Sequence, residues 1–180
     1  MYKFVALIPA RLNSARLPKK PLLIIDGLPM IIHTFKRSIL SKKIDFVAVC
    51  TDSQRIKKTV EKHNGKCFMT NKKHRNGTER INEIANKINC KFVIDIQGDE
   101  PLIKPDDIDK LIDFHSKNKH FDIVVPYLAI NYETNSNVVK ILSDKKGKVY
   151  FMTRLNAPHS FSIKAPYYKK HLSIISFKKE

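Results

Sequence analysis

The chain has 180 residues, of which 42% are hydrophobic, so it has the length and apolar content for one domain with a full core and is not a disordered segment. No apolar run approaches the ~18 residues a bilayer span requires, and no secretory signal is readable at the N-terminus, so a cytoplasmic protein with no membrane partner is expected. The formal net charge of +17 could mark a nucleic-acid binder, but most of the 34 basic residues are Lys spread over nearly every segment, as helix surface would be, so no nucleic-acid partner is expected.

In chain order, Phe4 to Ile8 reads as a strand and runs into a loop, Pro9 to Lys20, carrying Arg11, Arg16, Lys19 and Lys20 before any acid appears at Asp26. Unopposed positive charge after a first strand suits a polyanion such as a nucleoside triphosphate; a solvated basic loop would read the same way. Leu22 to Ile25 is a short extension closed by the Asp26-Gly27 turn. Met30 to Leu40 has helical spacing, Phe46 to Cys50 reads as a buried strand, and Asp52-Ser53 caps a helix that Asn64-Gly65 ends. Lys66 to Met69 is a short strand. Asn76-Gly77-Thr78-Glu79-Arg80 is a helix start, either a plain N-cap or a place for an anion or a base edge.

Phe92 to Ile96 is a further strand, ending in Gln97-Gly98-Asp99-Glu100-Pro101. Gly98 permits close approach of backbone to a ligand, and a carboxylate at a strand's end, Asp99, suits Mg²⁺, which takes one or two carboxylates plus substrate phosphates. An Asx turn leading into Pro101 is the alternative. Pro105-Asp106-Asp107 opens a helix with its core face at Leu111, Ile112 and His115. Ile123 to Ala129 reads as one strand, and Val138 to Leu142 and Val149 to Met152 pair as a hairpin around Asp144-Lys145-Lys146-Gly147. Tyr167-Tyr168-Lys169-Lys170 mixes aromatics with bases, as a single-strand binder or an ordinary surface would.

Strands alternating with helices imply an α/β fold, a mostly parallel central sheet with helices on both faces, drawn here as a single domain over 1–180. Ligands of such sheets sit beyond the carboxyl ends of the strands, which groups Pro9 to Lys20, Thr51-Asp52 and Gln97 to Pro101 on one rim. The seven His show no zinc spacing, no GxSxG is present, and the first loop lacks the glycines of a Walker A or dinucleotide fingerprint. Cys50, Cys67 and Cys90 form no CxxC pair and read as reduced and structural.

Taken together, Ile8-Pro9-Ala10-Arg11 with Ser14, Arg16-Leu17-Pro18, Lys20-Pro21-Leu22, Thr51-Asp52, Gly77-Thr78-Glu79-Arg80 and Gln97-Gly98-Asp99-Glu100-Pro101 resemble the 3-deoxy-manno-octulosonate cytidylyltransferase family, from Phe4 to about residue 179. The resemblance implies a three-layer, Rossmann-like nucleotidyltransferase fold and a homodimer. The activity it implies is transfer of CMP from CTP to the anomeric hydroxyl of a sugar acid, 3-deoxy-manno-octulosonate, with Mg²⁺, releasing pyrophosphate for lipopolysaccharide biosynthesis. Transfer to another sugar acid, or nucleotide binding without catalysis, are the alternatives. The resemblance also implies that Pro9, Ala10, Arg11, Ser14, Arg16 and Lys20 bind the nucleotide, with Arg16 and Lys20 catalytic beside Asp99. Asp99 would hold the metal, Arg80 and Gln97 would recognise nucleotide or position sugar, and Arg154 and His171 would lie at the sugar. Lys19 and Ser173 stand where the family has Gly, and Ile175 where it has Tyr. The family continues beyond Glu180 in a segment that supplies a second metal-binding aspartate, so this chain is expected to lack one metal ligand and to be weakly active.

Overall fold

The computed structural model of the chain describes residues 1–12, 17–131, 135–158 and 167–179. Ser14 and Arg16 of the first loop lie outside the described residues. The chain divides into two compact units, Met1–Val124 with Ser173–Glu180, and Val125–Leu172, where the residue pattern alone reads as one domain. The division follows from hydrogen bonding: the strands of the second unit pair with one another in a sheet of their own.

The first unit begins with β1 (Tyr2–Ala10), whose residues from Phe4 onward are all buried. A continuous apolar run of this kind marks a strand covered on both faces. A short 3-10 helix (Lys20–Leu22) and a two-strand ribbon, β2 (Ile24–Ile25) and β3 (Leu28–Pro29), lead into α1 (Met30–Ser38). Next come β4 (Phe46–Thr51), α2 (Gln54–Lys62) capped by the Ser53 hydroxyl, and β5 (Cys67–Met69). Then α3 (Gly77–Ala85), β6 (Cys90–Ile96), α4 (Pro105–Lys117) and β7 (Ile123–Val124) follow. The second unit holds β8 (Tyr127–Ile130), β9 (Lys140–Ser143), β10 (Val149–Thr153) and β11 (Tyr168–His171). The chain then returns to the first unit as β12 (Ile174–Lys178).

The central sheet runs β5-β4-β1-β6-β12-β7. Its first four strands are parallel, and β12 lies antiparallel to β6 and β7. On one face, Ile81, Ile84 and Ala85 of α3 pack with Val5, Leu7, Ala48, Cys50 and Val93. On the other, Phe4 stacks on Phe92 at 4.7 Å between centroids, and the edge of His115 from α4 meets Phe92. His115 is fully buried and bridges two elements: Nε2 donates to Phe121 O (2.9 Å), leaving Nδ1 to accept from the Ser176 hydroxyl (2.6 Å). That pair ties α4 to β12, and β12 carries the residues that flank the end of β6.

The apolar run read as one strand from Ile123 to Ala129 is two: β7 pairs with β12 in the central sheet, while β8 pairs with β11 in the second. The break falls at Val125-Pro126, where proline cannot donate to a ladder. The stretch Tyr167 to Lys170, read as a mixed aromatic and basic surface, contributes to β11. In the second unit the hairpin β9–β10 forms around Asp144 and Gly147 as its turn residues require, with Asp144 Oδ1 accepting from Lys146 N and Lys148 N, both at 2.9 Å.

Lys19 and Ser173 have φ values of 57° and 59°. Both sit in the left-handed region, where a Cβ costs roughly 1–2 kcal/mol and glycine costs nothing sterically. Glycine loses more backbone freedom on folding, which offsets part of that difference. Ser173→Gly is therefore expected to raise stability by roughly 0.5–1 kcal/mol, read as a higher urea midpoint at unchanged slope.

Candidate active site

The carboxyl ends of β1, β4 and β6 lie side by side, with Ala10 in register with Thr51 and Leu7 with Asp95. Pro9 is the centre of this rim. A Cβ built on Gly98 would lie 2.5 Å from the Pro9 carbonyl oxygen, and one on Gly77 would lie 3.0 Å from the Pro9 ring. Backbone from the Gln97-Gly98-Asp99 turn thus closes on the end of β1 at a distance only glycine permits, and the start of α3 at one where a Cβ would be tight.

Helix α1 holds that turn from behind. Thr34 Oγ1 donates to Gly98 O (3.2 Å), and Arg37 Nε donates to Pro101 O (3.1 Å). On the exposed side, Lys20 Nζ pairs with Asp99 Oδ2 at 2.7 Å. Both side chains are over a third exposed, so the pair adds little to stability; its importance is that it brings a cation and a carboxylate onto one spot of the rim. Ala10 is buried in β1, and Arg11 is exposed just after it.

Arg80 is placed differently from a side chain that meets a ligand. It is 2% exposed, and its guanidinium bonds to Asp52 Oδ2 (2.9 Å), the Thr70 hydroxyl and Asn71 O (3.5 Å). It ties the Thr51-Asp52 turn to α3 and to the segment after β5. That segment is pinned further along the same helix. Glu83 accepts from Asn71 N (2.9 Å) and pairs with His74 Nε2 (2.8 Å), and Glu79 accepts from Arg75 N (2.9 Å). The Asn71 backbone bond, then His74 and Lys87, hold the Glu83 carboxyl down to about 2. At the helix start, Asn76 Oδ1 caps Glu79 N at 2.8 Å.

Gln97 follows β6 and is half-buried. Its backbone N–H donates to Ser173 O (3.1 Å), and its Nε2 donates to Asp95 Oδ1 (3.0 Å). Asp95 is fully buried, and no motif in the sequence singles it out. Burial pushes its carboxyl up to about 7, against the opposing hydrogen bonds of Thr78 and Gln97. An acid in the middle of the apolar run Phe92 to Ile96 was the one available signal.

Arg154 and His171 belong to the second unit. Arg154 Nη1 donates to Ser136 O (3.3 Å) and Asn137 O (3.0 Å), and His171 lies on β11 opposite Tyr127. The cysteines are free thiols. Burial pushes Cys50 far up and Cys67 to about 12, which leaves both protonated and unreactive at neutral pH. Among the described residues no cluster of three or more His, Cys, Asp or Glu is placed to hold a metal. Asp99 alone fits the single-carboxylate contribution that Mg²⁺ takes when phosphates supply its other oxygens.

Comparison with known proteins gives this rim its context. A family profile described as Cytidylyltransferase matches residues 5–180. A 3-deoxy-manno-octulosonate cytidylyltransferase of Thermodesulfovibrio yellowstonii is 41% identical over 165 residues, covering 86% of this chain and 64% of that protein. The enzyme of the same name from Escherichia coli is 32% identical, covering 100% of this chain and 74% of its own length. A solved structure described as CMP:2-keto-3-deoxy-manno-octonic acid synthetase complexed with CTP superposes with a TM-score of 0.91 at 32% identity. It covers 98% of this chain and 74% of that one. The chain thus spans about two thirds to three quarters of the length of these relatives.

Two outcomes are expected from the packing. Gly98→Ala forces its methyl against the Pro9 carbonyl and is expected to cost roughly 1–3 kcal/mol in denaturant unfolding. Asp95 has a folded pKa of about 7, above its ordinary 3.8, so the folded state binds the extra proton between those values. The contribution of Asp95 to stability is then fully present below about pH 4 and declines as pH rises to about 7, at up to about 1.4 kcal/mol per pH unit. Asp95→Asn is expected to flatten that slope in a series of urea midpoints against pH.

Proposed function

The chain belongs to the cytidylyltransferase family, and on that footing we propose that it transfers CMP from CTP to the anomeric hydroxyl of 3-deoxy-manno-octulosonate, releasing pyrophosphate for lipopolysaccharide synthesis. The observation that carries this reading is the meeting of Lys20 and Asp99 at 2.7 Å on a rim whose other exposed side chains include Arg11. A cation and a carboxylate held together there are complementary to a metal–triphosphate complex, in which each group exchanges its partner for one on the ligand.

In the reaction the sugar's anomeric oxygen attacks the α-phosphorus, and the bond from that phosphorus to the oxygen bridging to the β-phosphate breaks. Both leaving phosphates gain negative charge as it does so. Arg11, Arg16 and Lys20 are assigned to the triphosphate, with Arg16 and Lys20 neutralising the departing pyrophosphate. Ser14 and the backbone at Pro9 and Ala10 are assigned to binding it. Asp99 is the residue that would hold Mg²⁺, which when bound neutralises phosphate charge and orients the attack in line. Gln97 is assigned to substrate recognition. Arg80 acts one step back from the nucleotide, through its hold on Asp52 and Thr70. Arg154 and His171 are assigned to the sugar acid, and proton transfer from the anomeric hydroxyl is left to solvent or to a phosphate oxygen.

A homodimer is part of the same reading, supported by the exposed Tyr127, Leu128, Tyr150 and Phe151 of the second unit. A cytoplasmic location is part of the same reading; among the described residues no helix is long and apolar enough to cross a membrane.

The test is pyrophosphate release from CTP and 3-deoxy-manno-octulosonate with Mg²⁺. Lys20→Ala and Asp99→Asn are each expected to lower kcat/KM by about 10²-fold or more while leaving Tm within a degree or two, since their pair is exposed. CTP binding by calorimetry without turnover on any sugar acid would instead describe a non-catalytic relative.

A further inference from the structure

We propose that Asp95 is a positioning residue: its carboxyl holds the Nε2 of Gln97 inside the protein, so that Gln97 offers the substrates a carbonyl oxygen and reads a hydroxyl or amino donor. This rests on the reading of Gln97 as a residue that touches substrate.

The amide of a glutamine can face either way, and which end points outward decides what it can recognise. Here Asp95 decides it. The residue sits in β6 between Leu7 of β1 and Ile175 of β12, fully buried, with Oδ1 accepting from Gln97 Nε2 at 3.0 Å. An ionised carboxylate only accepts. A protonated one keeps its carbonyl oxygen as an acceptor for the same bond. The Gln97 main chain is fixed independently by its N–H bond to Ser173 O (3.1 Å). With backbone and Nε2 both held, Oε1 is left beside the start of α3, 3.8 Å from where a Cβ on Gly77 would be. No donor among the described residues meets it.

Two features mark this arrangement as more than packing. Asp95 Oδ2 makes no hydrogen bond of ordinary geometry among the described residues, although the Thr78 side chain is near enough to oppose the effect of burial on the carboxyl. Burying a polar oxygen in that state is unfavourable, and an apolar residue like its neighbours in β6 would avoid it. The carboxyl is also hydrogen-bonded to a side chain of the Gln97 to Pro101 turn whose Oε1 lies beside the start of α3. A consequence follows for specificity: an outward carbonyl oxygen repels the carboxylate of a sugar acid. Recognition of that carboxylate falls to cations, and Gln97 reads a hydroxyl of the sugar or the exocyclic amine of cytosine.

The test is a double-mutant cycle with a spectroscopic arm. Asp95→Asn keeps an acceptor at Oδ1 and is expected to stay within about threefold of the parent in kcat/KM. Asp95→Leu, or Asp95→Ala should the larger residue not fold, is expected to lose about tenfold. That loss should appear in the KM of whichever substrate Gln97→Ala affects, which distinguishes sugar from cytosine. The Asp95→Leu and Gln97→Ala losses should not add in the double variant. In ¹⁵N spectra, the Gln97 side-chain amide protons should exchange slowly in the parent and in Asp95→Asn, and rapidly in Asp95→Leu. Additive losses, or amide exchange unchanged by Asp95→Leu, would overturn the proposal. Unchanged constants in Gln97→Ala would overturn it at its premise, and the amide exchange then reports separately on the hold of Asp95.

Discussion

The closeness of Gly98 to the Pro9 carbonyl oxygen constrains everything around the rim. Parallel strands leave their carboxyl ends open, and loops above them ordinarily stand apart. Here the turn after β6 is drawn down onto the end of β1, and the start of α3 comes in from the side at Gly77. Helix α1 fixes the result through Thr34 and Arg37. Asp99 and Lys20 meet because of this, from positions far apart in sequence, on a support made of backbone rather than of mobile side chains.

Behind that surface, polar groups are spent on holding loops in place. Arg80 joins the turn after β4, the segment after β5 and the face of α3 into one piece. Glu79 and Glu83, on the same helix, fasten residues 71 to 75. His115 and Ser176 do the same for β12, and so for Ser173 and the backbone of Gln97. The buried pairs among these, at Arg80 and at His115, contribute less to stability than apolar packing would, but each has defined geometry, and geometry is what a site that orients its substrates requires. Lys179 closes the frame from the other end, donating to the last carbonyls of the α3 region at Ala85 and Ile88.

The alternation of strands and helices through α4 was legible because each element there has an apolar face of clear period and a cap or turn at its ends. Legibility failed at Val124 and returned only for the hairpin of β9 and β10, which its turn residues announce. The run from Ile123 onward is equally apolar on either side of Pro126, so nothing local reveals that its halves join different sheets. Strand β12 was hidden for a similar reason: Ile174 to Lys178 is short, and its place antiparallel to β6 depends on residues far away in sequence. Arg80 shows the converse. Its motif announces importance, yet a guanidinium beside a helix start looks the same in sequence whether it faces a phosphate or is buried against Asp52.

From its sequence alone this chain declared an α/β sheet, a basic first loop, a carboxylate after a central strand, and the family whose motifs these are. Those features are local, fixed by side-chain period, by charge and by the order of a few residues. Tertiary structure alone decided that Lys20 pairs with Asp99, that Arg80 faces inward, that Lys19 and Ser173 occupy backbone suited to glycine, and that Asp95 grips Gln97. Each depends on which strand ends lie together and how closely their backbones approach, and those distances are set by long-range pairing that no single segment encodes.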